Sequence, residues 1–274
     1  MTKRDKRRKA KTVAQKILSV LIYAFIYIPV IVLIVFSFNN QKANTNWVGF
    51  TTSYYTMLFK DTDLWKIFLN SMIIAIVSTA LSVVIGTLAA VGLTRHNFKG
   101  KGAVNNMLYV PIVIPEIVLA VALLSIMSII QFPLGLISLI LGHTTLTVPF
   151  VIVTVKSRLS DFDNSVEEAS MDLGANRKTT FFKVVLPMIM PGVVSGGFLA
   201  FTLSLDDLII SNFIAGTNTT TLPVKIYSMV KSGISPEINA LTTLIIGVFL
   251  VGIVISKLND KRLKMKEIKE GEVL

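Results

Sequence analysis

The chain has no cysteine among its 274 residues. Disulfides, thiolate zinc sites, iron–sulfur clusters and thiol nucleophiles are therefore excluded. Charge is scarce as well, at 16% of residues against roughly 25% in a soluble domain. Acidic residues are the scarcest class, with 16 Asp and Glu against 27 Lys and Arg, a net charge of +11. Hydrophobic residues make up 53% and the mean hydropathy is +0.69. These values exclude a soluble enzyme or a disordered chain and point to a polytopic membrane protein. In a soluble protein the positive surplus would suggest nucleic acid, so the placement of the charges has to decide.

Lys, Arg, Asp and Glu are absent from 17–41, 67–94, 117–155, 184–205 and 238–256. About 20 apolar residues cross the hydrocarbon core as a helix. The 117–155 window is too long for one crossing and holds Gln131-Phe132-Pro133-Leu134-Gly135, a turn signal. Splitting it predicts six transmembrane helices, at 17–38, 67–93, 106–130, 136–155, 190–215 and 237–257. The fourth is diluted by His143, Thr144, Thr145, Thr147 and Pro149. Of the 27 basic residues, 22 fall in 3–16, 94–103, 156–189 and the C-terminal tail, and five on the other side. Positive residues stay cytoplasmic, so both termini are expected inside and nucleic acid is not an expected partner. The charge instead marks topology, with the lipid bilayer as the surrounding partner. The expected organisation is a basic tail at 1–16, a six-span membrane domain at 17–257 and a second basic tail at 258–274. The stretch 17–38 exceeds a signal-peptide core and no small-x-small cleavage site follows, so it reads as an uncleaved span.

The loop 156–189 is long and carries helix punctuation. Ser165-Val166-Glu167-Glu168 fits a capping box, and Asp163, Glu167 and Glu168 suit a helix N-terminus. Gly174 sits where a left-handed cap would end the helix. A second helix is predicted over 175–186, with Pro187 at its end and Phe181, Phe182, Val185 and Leu186 on its apolar face. From the residues alone, this helix–glycine–helix either rests on lipid or docks a cytosolic partner.

Glu168-Ala169-Ser170, then Met171-Asp172-Leu173, then Gly174, and nine residues on Val184-Val185-Leu186-Pro187 resemble the EAA loop of ABC importer permeases. That pattern reads E-A-A, three residues, G, nine residues, I-x-L-P. Ser170 and Val184 are its two conservative departures here. The segments at 47–51, 154–159, 201–208, 223–231 and 235–240 are similar to permeases of the spermidine/putrescine importer family, over roughly 20–257. The resemblance implies an all-α type I permease fold in a bacterial inner membrane. It implies that Glu168, Ala169, Ser170, Asp172, Gly174, Leu186 and Pro187 belong to an ATPase-coupling loop. It also implies three partners: a homologous second permease, an ATPase dimer that uses ATP and magnesium, and an extracytoplasmic polyamine-binding protein.

The chain itself holds no G-x-x-x-x-G-K-[S/T] loop to cradle phosphates, and neither H-E-x-x-H nor G-x-S-x-G. No catalytic residue, metal site or bound cofactor is therefore expected, and ATP hydrolysis is left to another subunit. Three acids fall inside predicted spans: Glu116 in the third, and Asp206 and Asp207 in the fifth. Burying each costs a few kcal/mol, which a polycationic substrate moving along a watered path would offset. Two structural alternatives stand beside this reading. One aspartate caps a broken helix, or the prolines near Glu116 make a kink whose freed backbone groups need a partner. His143 reads as a helix-packing hydrogen-bonding residue. Gly192 and Gly196 suit close packing within the bundle. A permease for another small solute and an ion-coupled secondary transporter remain the competing functions.

Overall fold

The computed structural model describes residues 3–40, 46–160, 164–231, 233 and 236–271. Expectations resting on Asp163 and Ser235 lie outside the described residues. The helices in chain order are α1 (Lys3–Phe36), α2 (Ser53–Lys60), α3 (Thr62–Arg95), α4 (Lys101–Met107), α5 (Val110–Val113), α6 (Glu116–Ile129) and α7 (Leu136–Ser160). They continue with α8 (Asn164–Asp172), α9 (Arg177–Thr180), α10 (Leu186–Asp206), α11 (Ile209–Ile214), α12 (Leu222–Lys231) and α13 (Pro236–Gly271). The fold is all-α. Among the described residues the sole β pairing is an isolated bridge between Asn39 and Phe50.

The chain divides into two compact units, Met1–Thr62 with Ser228–Leu274, and Asp63–Tyr227. In the first, α13 packs against α1 and α2. The buried Asn39 holds residues 46 and 48. Its Nδ2 donates to the Asn46 carbonyl at 2.7 Å, and its Oδ1 accepts from the Val48 N–H at 2.9 Å. Phe38 stacks on Phe50, with ring centroids 5.3 Å apart.

The second unit is built on α7, which packs along α10 and also touches α5, α6 and α11. One apolar cluster joins Ala90 and Leu93 of α3, Val151, Ile152 and Val155 of α7, and Ile189, Val193 and Ala200 of α10. A second joins Ile74, Leu119, Leu139, Leu146, Ile210 and Ile214. Glycines permit the close approach. A Cβ on Gly192 would lie 2.8 Å from the Arg158 Cβ, and one on Gly196 3.3 Å from the Val151 Cα. That pair therefore serves contact within the bundle. The threonines that dilute α7 do not break it, because they bond back to their own helix. Thr144, Thr145, Thr147 and Thr154 each donate to the carbonyl four residues earlier, at 2.7–2.9 Å.

The structure breaks two of the six expected spans. Four helices among the described residues are long and apolar enough to cross a membrane, and five if one bent pair counts as a single span. The third expected span, 106–130, is that pair. Lys101–Val113 and Glu116–Ile129 meet at 108°, where Ile114 is extended and Pro115 precedes α6. Pro115 has no N–H and steers Ile114 out of the helical region. The fifth span, 190–215, ends at Asp206, and Asp207 is extended before α11 begins. The sixth falls within α13, Pro236–Gly271.

The helix expected to stop at Pro187 instead runs on. Residues Phe181–Val185 form a π-turn, in which the Leu186 N–H reaches the Phe181 carbonyl, and α10 follows directly. Widening the backbone there relieves the clash a proline ring makes with the carbonyl four residues back. Hence Arg177–Asp206 is one continuous apolar helix. At its start, Asn176 Oδ1 accepts from the Thr179 N–H at 2.9 Å, a side-chain cap.

Candidate functional site

Two regions of the second unit carry chemistry. One is a buried polar cluster between the two apolar clusters, where both broken helices meet. Asp207 lies in the gap after α10. Its Oδ1 accepts from the Ile210 N–H at 3.1 Å, and its Oδ2 from the Ser211 N–H at 2.7 Å. These are orphan amides of α11, so the carboxylate caps that helix and meets its positive end. His143 of α7 completes the shell, with Nε2 3.2 Å from Asp207 Oδ2 and 3.1 Å from Ser211 Oγ. Its Nδ1 lies 2.7 Å from Ser204 Oγ, which in turn lies 3.0 Å from Ser78 Oγ of α3. A neutral imidazole satisfies this chain with its proton on Nε2, toward Asp207, and Nδ1 accepting from Ser204. One turn along α7, Thr147 Oγ1 meets Ser82 Oγ at 2.7 Å.

Of the three acids predicted from sequence, the structure brings two together. Glu116 opens α6, and its carboxyl comes within hydrogen-bonding reach of Asp207. Asp206 ends α10 and is exposed on this chain, whereas Asp207 is buried. The break after α10 separates the tandem pair, with Asp207 extended and 4% exposed and Asp206 left open on the helix end. The serines at 78, 204 and 211 were not singled out by sequence reasoning. The available signal was their placement in apolar stretches, Ser78 with Ser82 one turn apart on α3.

The second region is the α8 hairpin. Helix α8 begins at Asn164, so Ser165, expected as its cap, lies within it. The end is a Schellman closure. The Ala175 N–H reaches the Ser170 carbonyl at 3.2 Å and the Gly174 N–H the Met171 carbonyl at 2.9 Å, with Gly174 at φ +89°. The loop residues divide by face. Glu168, Ala169, Asp172 and Pro187 are exposed, while Leu186 is half-buried. Ser170 turns inward, 3.2 Å from Thr180 Oγ1 at the start of the next helix. Val166, Met171, Leu173 and Phe182 leave large apolar surface uncovered, Leu173 at 90% exposure. Glu167, beside the motif's own glutamate, forms an ion pair with Arg95 at 2.6 Å. No local spacing points to this pair, since 72 residues separate its members.

Residues 82–265 match the family described as binding-protein-dependent transport system inner membrane component. The chain is 45% identical over 237 residues to the spermidine/putrescine transport system permease protein PotC of Escherichia coli, covering 86% of this chain and 90% of that one. It is 42% identical over 241 residues to the protein of the same name from Haemophilus influenzae, covering 88% and 94%. It is 40% identical over 239 residues to the putrescine transport system permease protein PotI of Escherichia coli, covering 85% and 84%. Among solved structures, a bacterial ABC transporter involved in import of the acidic polysaccharide alginate superposes with TM-score 0.74 at 15% identity, covering 94% of this chain and 98% of that one. The MetNI methionine ABC transporter gives TM-score 0.55 at 19% identity, covering 76% and 95%. At these identities the two structures speak for the fold alone.

Proposed function

Because the chain belongs to the family of binding-protein-dependent transport system inner membrane components, we propose that it is one permease of an ATP-driven importer of spermidine or putrescine. It forms half of the translocation path, a homologous permease supplies the other half, and an extracytoplasmic binding protein delivers the polyamine. The chain is not itself an enzyme. A separate ATPase dimer binds ATP and magnesium and docks on the exposed side of α8, around Glu168, Ala169 and Asp172. The protein resides in a bacterial inner membrane with both termini cytoplasmic, as the basic-residue bias favours.

What carries the substrate reading is the placement of Glu116, Asp206 and Asp207 at two helix breaks, in a chain whose near-full-length relatives are polyamine permeases. A polyamine presents several ammonium groups on short alkyl spacers. Carboxylates spaced along a watered path attract such a cation without caging it. Exposed Asp206 supplies the carboxylate facing the path, and Asp207 holds the break open behind it. The two roles separate experimentally. Asp206→Asn is expected to lower labelled spermidine uptake about tenfold at unchanged protein abundance. Asp207→Asn is expected to lower abundance as well, because it weakens the cap on α11 by about 1 kcal/mol or more. Wild-type uptake kinetics in Asp206→Asn would refute its place in the path.

A further inference from the structure

We infer that Arg95 and Glu167 form the tie through which movement of the ATPase-docking helix α8 reaches α3, making Arg95 a positioning residue for energy coupling. This rests on the docking role proposed for α8. Two consecutive glutamates on α8 point to different places. Glu168 is exposed and free to meet a partner protein, whereas Glu167 is half-buried against its own chain. Its carboxylate meets the Arg95 guanidinium at 2.6 Å, with the two side chains 26% and 18% exposed. Each charge also sits where a helix dipole favours it, Arg95 in the last turn of α3 and Glu167 in the first turn of α8. A close contact of opposite charges that is partly shielded from water is screened less than a fully exposed ion pair.

What α3 does elsewhere gives the tie its consequence. It runs unbroken from Thr62 to Arg95. From Arg95 back to Ser78 is about 25 Å at 1.5 Å per residue. There Ser78 bonds Ser204, the neighbour of His143 in the buried cluster that caps the α10–α11 break. On the same helix Ser82 bonds Thr147 of α7, and Ser71 Oγ accepts from the Leu222 N–H at 2.7 Å. A displacement of α8 that is carried by Arg95 therefore arrives, along a rigid helix, at the groups around the candidate path. The Ser170–Thr180 contact gives α8 a second link, into the continuous helix ending at Asp206. The hairpin is thus joined to both helices that flank the cluster.

The test uses the complete importer in liposomes, supplied with spermidine-loaded binding protein, and reads spermidine taken up per ATP hydrolysed. Arg95→Gln and Glu167→Gln are each expected to lower that ratio about tenfold while the ATPase still co-purifies. Arg95→Lys, which keeps the charge, should stay within about threefold of wild type. Because the native chain has no cysteine, the pair Arg95→Cys with Glu167→Cys can be bridged selectively by a short flexible bis-methanethiosulfonate. Bridging should restore most of the ratio lost in the unbridged double variant. A wild-type ratio in either glutamine variant, or a bridged pair that transports no better than the unbridged one, overturns the tie. Failure of the ATPase to co-purify with the unaltered chain would instead overturn the docking role of α8.

Discussion

Replacing His143 by alanine is expected to lower the stability of the protein in detergent by about 3 kcal/mol and to cut its recovery from membranes several-fold. His143 is 1% exposed and Asp207 4%, so water cannot take the place of the lost ring. The substitution removes the partner of Asp207 Oδ2 and of two serine hydroxyls at once. A buried polar atom left without its partner costs about 1–3 kcal/mol and a charged one more, and three such atoms are affected here. Partial satisfaction of Asp207 by the Ile210 and Ser211 amides keeps the expected loss at the lower end. Thr145→Ala is the matched control. That hydroxyl is exposed and bonds only to the Leu141 carbonyl of its own helix, and its loss should cost less than about 0.5 kcal/mol. Thermal unfolding of the two variants beside wild type checks this. Equal midpoints for His143→Ala and wild type would show that the cluster contributes nothing to the fold.

Gly174→Val is expected to abolish uptake, whereas Gly174→Asn should retain most of it. A Cβ at Gly174 meets no atom within 4 Å, so crowding is not the obstacle. The obstacle is φ +89°, which a β-branched residue adopts at a cost of about 2 kcal/mol and asparagine tolerates far better. Two kcal/mol lowers the ratio of closed to open hairpin about thirtyfold. Losing the Schellman closure frees the C-terminal end of α8 and with it the direction in which Glu168, Ala169 and Asp172 are presented. The measurement is ATPase co-purification together with uptake for both variants. Equal behaviour of valine and asparagine would mean that the left-handed cap is not what presents α8.

Hydropathy located most of the apolar helices because the absence of charge over some 20 residues is a signal that needs no tertiary information. It located the breaks poorly for the same reason. The run 106–130 stays apolar through Ile114 and Pro115, and apolarity says nothing of a 108° bend. Pro187 misled in the opposite direction. A proline after an amphipathic helix ordinarily ends it, yet the π-turn at Phe181–Val185 lets the chain continue as α10. Gly174 was legible because left-handed caps depend on one residue and its immediate neighbours. Asp206 and Asp207 were legible as a pair but not as individuals. Which one turns inward depends on where α10 stops, and on a histidine more than 60 residues away. Arg95 with Glu167, and Ser78 with Ser204, are long-range meetings of ordinary residues, and no local spacing encodes them.

The central claim is that the chain moves polyamine at the expense of ATP. Labelled spermidine uptake should therefore be measured in cells with and without the gene, after ATP depletion and, separately, after collapse of the proton gradient. The expected result is uptake that disappears with the gene and with ATP, and persists without the gradient. Uptake that survives deletion of the gene would contradict the polyamine assignment, and uptake that follows the gradient rather than ATP would contradict the mechanism.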